Sequence, residues 1–121
     1  MPEIHIGRAD EIGEGERRIV SHEDVEIGVF RWEGAYFAYR NQCPHQGGPA
    51  CEGLLMHRVV EVLGEHNTYL RMGWDKSEMH FVCPWHGWEF DLRTGECAAD
   101  RRWKIRGYRT ELRDGELYVH A

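Results

Sequence analysis

The chain lacks an apolar N-terminal segment, which argues against secretion and membrane spanning and leaves a cytoplasmic protein as the expectation. Basic residues are comparatively few: 15 against 21 acidic, for a net charge of −6. That balance excludes nucleic acid as a default partner and permits electrostatic docking to a basic protein, although it also serves plain solubility. Only four cysteines occur among the 121 residues. In a chain without a secretory leader they read as metal ligands or buried thiols, not as a disulfide framework. There is no nucleotide-binding glycine loop, no internal repeat and no low-complexity tract. The length suits one domain with a real core, and a second region able to house a catalytic centre is not expected.

Helical signal is also scarce. Residues 9 to 20 carry two glycines and no sustained apolar face. What is present is short alternating runs broken by turn chemistry. "VEIGVFRW" (25–32) and "AYFAYR" (35–40) flank Glu33-Gly34, and "YRTELR" and "ELYVHA" flank Asp114-Gly115; both read as hairpins. "EIHIGRA" suggests another strand near the start, "MHFVC" (79–83) and "WEFDL" (88–92) suggest two more, and "RTGE" follows as a turn. The expected class is all-β, a small antiparallel sandwich or barrel. Residues 56–79 add "RVVEVL" and "TYLRMGW" around "GEHN", a pattern for an inserted hairpin that extends a sheet, forms a docking surface or is simply tolerated.

Two stretches carry chemistry. "RNQCPHQGGP" (40–49) holds Cys43-x-His45, and "FVCPWHGWEF" (81–90) holds Cys83-x-x-His86. Each pair lies on a Gly/Pro-rich turn at the end of a strand-like run, so two such turns side by side present two thiolates and two imidazoles. A tetrahedral zinc ion takes that donor set, and so does a [2Fe–2S] cluster with two Cys on one iron and two His on the other. Each loop mixes one ligand of each kind, which suits two equivalent loops that each serve both irons. Gly47, Gly48 and Gly87 follow the histidines and are expected to let backbone N–H groups approach bridging sulfides. Pro44, Pro49 and Pro84 are expected to stiffen the loops.

"CPHQGG" and "CPWHGWEFDLRTGE" resemble the two cluster-binding boxes of Rieske [2Fe–2S] proteins, and "VFRWEGAYFAYRNQCPH" and "LRDGELYVHA" resemble their β framework. The likeness runs from about residue 20 to the end. It implies an all-β Rieske-type fold over residues 1–121 with a cluster-binding subdomain made by loops 43–48 and 83–88. It also implies one [2Fe–2S] cluster per chain, with Cys43 and Cys83 on one iron and His45 and His86 on the other. The extra electron then resides on the histidine-bound iron near the surface, and each ligand ring N–H links potential to pH. The chain departs from the pattern in several places. The boxes are separated by 37 residues, Gln46 to Val82, more than is usual. Respiratory members join a cysteine in each box as a disulfide, at positions that here read Gly48 and Trp85. Where those members set Ser and Tyr hydroxyls near the cluster, this chain has Trp88 and Phe90, and so a low potential is expected. "GECAADRRW" (95–103) has no proline, where the family often has a proline-bearing loop over the cluster.

The resemblance implies an electron carrier and not an enzyme: a ferredoxin taking single electrons from a flavoprotein reductase to a terminal oxygenase. The alternative is a small Rieske subunit of a larger reductase, such as a nitrite-reductase-like complex; a redox sensor or a zinc interaction module ranks below both. Cys51 and Cys97 fit no plant-type or bacterial ferredoxin spacing and read as buried thiols. His80, in the strand entering the second box, is a candidate neighbour of the cluster, while the other histidines outside the boxes read as surface or core residues. Trp88 is expected to point inward, and Trp85 is left open between core and collar.

Overall fold

Alternation between turn residues produces nine strands among the described residues: β1 Glu3–Arg8, β2 Arg17–His22, β3 Val25–Trp32, β4 Ala35–Arg40, β5 Leu55–Leu63, β6 Tyr69–Val82, β7 Glu89–Asp91, β8 Gly107–Arg113 and β9 Glu116–His120. The structure, a computed structural model, describes residues 3–44, 47–53, 55–63, 69–85 and 87–121, with the backbone alone for 57–63 and 69–77. Six strands form an antiparallel sheet in the order β1-β9-β8-β4-β3-β2, and three form a second, β5-β6-β7. The larger sheet curls into a nearly closed barrel. Its two edge strands are linked by a side chain, Arg18 Nη1 of β2 donating to the Ile6 carbonyl of β1 at 3.2 Å. Among the described residues no helix is long and apolar enough to cross a membrane.

The hairpins form where the turn chemistry predicts them. Glu33 and Gly34 both take positive φ (49° and 76°), as do Asp114 and Gly115 (53° and 78°), the twist that two-residue hairpin loops require. One strand was not anticipated. Arg17–His22 pairs with β3 along its whole length, Arg17 opposite Phe30 and His22 opposite Val25. Its Ile19-Val20 core is only two residues long, too short a run for the alternation to show.

Four consecutive residues of β3, Ile27 to Phe30, are buried, which marks a strand covered on both faces. Ile27 and Val29 join Ile6, Ile12, Ala38, Leu117 and Val119 in the barrel interior. Phe30 faces the other way, into a second core with Tyr39, Phe81, Phe90, Leu92, Ile105 and all four cysteines. That second core joins the barrel to the small sheet. Phe81 packs on Phe30, Tyr39 and Phe90 with ring centroids 5.1, 5.2 and 5.4 Å apart. The buried Tyr39 hydroxyl donates to the Leu92 carbonyl at 2.7 Å.

The segment 56–79 is not set apart from the strands that lead to the second box. β5 begins at Leu55 and pairs with β6 as far as Leu63 opposite Tyr69, and β6 continues to Val82, one residue before Cys83. The register breaks between His57 and Arg58, where Met79 and Asp75 are the successive partners. Of the expected loop "GEHN", all four residues lie outside the described ones.

Candidate metal centre

Both box cysteines lie outside any disulfide and are buried in the second core, Cys43 at 4% exposure and Cys83 at 1%. The first box follows β4; the second connects β6 to β7. The two turns repeat one backbone pattern. Cys43 N–H donates to the Gly48 carbonyl at 2.7 Å, and Cys83 N–H donates to the Trp88 carbonyl at 2.8 Å. Gly47 N–H donates back to the Cys43 carbonyl at 2.8 Å, and Gly87 N–H to the Cys83 carbonyl at 3.0 Å. In each turn the cysteine is bonded to the fifth residue after it and the fourth bonds to the cysteine. This equivalence survives the different spacing of the histidines in the two boxes. His45 and His86 themselves lie outside the described residues.

The glycines shape the turns. Gly47 and Gly87 take φ of 76° and 71°, a left-handed conformation that glycine adopts without a Cβ clash. Their N–H groups close the turns onto the cysteine carbonyls. Gly48 serves the contact between the loops: a Cβ built there would lie 2.7 Å from Cδ2 of Trp85. Trp85 is 59% exposed. Trp88 is half-buried against the second core and meets Trp103 edge-on at 5.9 Å. The proline-free stretch after Gly95 folds back under this pair: Cys97 N–H donates to the Trp103 carbonyl, and Trp103 N–H to that of Asp100.

Cys51 and Cys97 are buried thiols, at 0% and 1% exposure. Cys51 lies on a short 3-10 turn, Ala50–Glu52. Burial pushes its thiol up to about 12, which keeps it protonated at neutral pH. Its backbone is held on both sides, the N–H donating to Asn41 Oδ1 at 2.8 Å and the carbonyl accepting from Arg17 at 2.6 Å. Asn41 Nδ2 in turn donates to Glu52 at 2.7 Å. Asn41, two residues before Cys43 and 7% exposed, was not singled out in the sequence, where its only signal was a polar residue next to an apolar strand.

His80 is the larger surprise. It is fully buried, with Nδ1 2.9 Å from a Glu89 carboxylate oxygen and Nε2 2.8 Å from one of Glu78. Glu78 also accepts from Arg101, whose guanidinium lies 3.6 Å from Asp91 and 3.8 Å from Glu96. Burial works against ionised Glu78, but hydrogen bonds from Arg101 and His80 outweigh it and hold the carboxyl at about 2. This network ties β6 to β7 and to the stretch that carries Trp103. Glu78 and His80, two apart on one strand, share a face; that spacing was the signal available.

The donor set fits an iron–sulfur cluster in its protein part: two buried free thiols, on paired turns of equal geometry, in a core of Phe81, Phe90 and Leu92 that excludes water. The family model for the Rieske [2Fe–2S] domain matches residues 3–109. A Rieske domain-containing protein of Homo sapiens is 32% identical over 131 residues, covering 96% of this chain and 73% of the relative. The 3-phenylpropionate/cinnamic acid dioxygenase ferredoxin subunit of Photorhabdus laumondii is 25% identical over 123 residues, covering 98% of this chain and 94% of that one. A crystal structure assigned to an NADH-dependent nitrite reductase small subunit of Mycobacterium tuberculosis superposes with a TM-score of 0.71 at 19% identity, over 98% and 93% of the two chains.

Proposed function

Because the chain belongs to the Rieske [2Fe–2S] family, we propose that this Rieske-type electron carrier serves as a ferredoxin between a flavoprotein reductase and a terminal oxygenase. Residues 1–121 then form one Rieske domain without a catalytic centre of its own. Cys43 and Cys83 hold one iron as thiolates; His45 and His86 hold the other through ring nitrogens. When bound, the cluster supplies reversible one-electron chemistry. The protein supplies the rest. The bonds from Cys43 to Gly48 and from Cys83 to Trp88 fix both sulfurs on rigid turns, which keeps reorganisation small. Phe81 and Phe90 keep water from the thiolate side. Trp85 and Trp103, at 59% and 43% exposure, give a partner an aromatic surface.

The observation that carries this reading is the repeated turn, one cysteine and one histidine on each copy. It is tested on anaerobically purified protein, expected to contain iron and acid-labile sulfide in equal amounts and to give a reduced-state EPR signal of low average g. Electrons should pass from an NAD(P)H-dependent flavoprotein reductase to the protein and on to an oxygenase. Stoichiometric zinc without sulfide would overturn the assignment. A second reading, the small subunit of a larger reductase, is favoured by the fold shared with the nitrite reductase small subunit. Tight co-purification with one large subunit would select it over a freely diffusing ferredoxin.

A further inference from the structure

The two loops belong to different sheets and share no strand pairing. Their separation therefore depends on packing of the short turn Ala50–Glu52 against β6 and on contacts between the loops themselves. Gly53, at the end of the first loop, abuts the Val82 carbonyl, with Pro84 of the second loop beside it. A further contact among the described residues is Trp85. A Cβ on Gly48 would come within 2.7, 2.8 and 3.0 Å of Cδ2, Cγ and Cε3 of its indole, so the ring lies flat against the glycine. Gly48 is buried, and its carbonyl accepts from both Cys43 N–H at 2.7 Å and Ala50 N–H at 2.8 Å. The indole thus rests on the residue that anchors Cys43. Its own backbone lies two residues past Cys83. None of the four cysteines is in a disulfide, so no covalent bond spans this gap.

We propose that Trp85 is a positioning residue, its indole a clasp on Gly48 that sets the distance between the Cys43 and Cys83 turns. The inference rests on the cluster assignment above, but the contact itself concerns only this chain's residues. Shielding the cluster from water is the rival role, and the two roles respond differently to substitution.

The test compares wild type with Trp85→Ala, Trp85→Phe, Gly48→Ala and the double variant Gly48→Cys/Trp85→Cys in its mass-verified disulfide form. Two quantities are followed in the cluster-loaded protein: bleaching of visible absorption by an iron chelator, and hydrogen exchange of the Cys43 and Cys83 amides. Trp85→Ala should bleach on the order of tenfold faster, with Cys43 amide protection falling in parallel, and Trp85→Phe should lie between. Gly48→Ala should behave like Trp85→Ala, because its Cβ wedges the indole away while the ring remains present. The disulfide variant, which has no indole, should recover slow bleaching and amide protection. Wild-type bleaching and exchange in Gly48→Ala, or fast bleaching in the disulfide variant, would overturn the clasp. If the purified protein holds no iron and sulfide, the cluster assignment fails by itself. Amide exchange of Trp85→Ala and Gly48→Ala against wild type then decides the clasp alone.

Discussion

The barrel and the site-bearing sheet are held together by different means. The barrel interior is aliphatic, Ile27, Val29, Leu117 and Val119 among its members, and it fills by ordinary alternation. The second core mixes aromatic rings with four cysteines, and its loops are ordered by backbone hydrogen bonds, glycine conformations and a network of carboxylates and Arg101 around the buried His80. The first region is stabilised by apolar area removed from water. The second buries large aromatic side chains too, Phe30, Phe81 and Phe90 among them, and places the two box cysteines in the same core. The difference locates function: the barrel is a support that tolerates exchange of similar residues, while the loops are tuned position by position.

The largest effect expected from this contrast is complete and local. Cys83→Ser or His86→Ala should abolish the cluster's visible absorption and EPR signal while far-UV circular dichroism still reports the barrel strands. Cys51→Ser and Cys97→Ser should keep the cluster. Unfolding of the barrel on cluster loss would show that the two regions are one cooperative unit, and the comparison would fail. The converse variant, Leu117→Ala, removes a side chain at 0% exposure from the barrel and should cost about 2–5 kcal/mol in denaturant titrations, with an unchanged cluster spectrum below the transition.

Smaller effects probe the site itself. Phe90, buried beside the cysteines, and Trp88 offer no hydroxyl to a cluster sulfur. The midpoint potential is therefore expected in the lower half of the roughly −150 to +300 mV Rieske range. Phe90→Tyr should raise it if the added hydroxyl reaches a sulfur; protein-film voltammetry measures both. A wild-type value well above the middle of the range would contradict the argument. The smallest effect is on pH dependence. Glu78 ionises at about 2, below its ordinary 4.5, so its contribution to stability is present above about pH 4.5 and lost as pH falls toward 2. Glu78→Gln should lower stability at neutral pH and flatten that acid limb in unfolding titrations. An unchanged slope would mean that the His80 network does not contribute through charge.

Much of the framework was legible. Glu33-Gly34 and Asp114-Gly115 announce their hairpins because few residue pairs accept positive φ in succession. Cys43 and Cys83 stand out because thiols next to Pro and Gly cannot belong to regular elements. β2 was missed: two β-branched residues between arginines and a histidine give too little periodicity, and pairing with β3 supplies the rest. For His80 the one signal was its spacing from Glu78 on a strand face, which says nothing of burial between two carboxylates. Its partners come from Glu78 nearby and from Glu89 across a strand pairing, and burial is a property of the assembled sheets. The motif marks where glycine is needed, and only the folded turns show that Gly47 and Gly87 take positive φ and close onto the cysteine carbonyls.

What the residues pointed to unaided is a candidate donor set, two cysteines and two histidines on Gly/Pro-rich turns, within an all-β chain. Those are local properties, readable from composition and spacing. Only tertiary structure decided that the two turns repeat one hydrogen-bond pattern, that Trp85 lies on Gly48, and that His80 closes a charge network beneath the site. Each of these joins segments distant in sequence, and the free energy that forms them comes from burial and pairing that exist only once both sheets are in place.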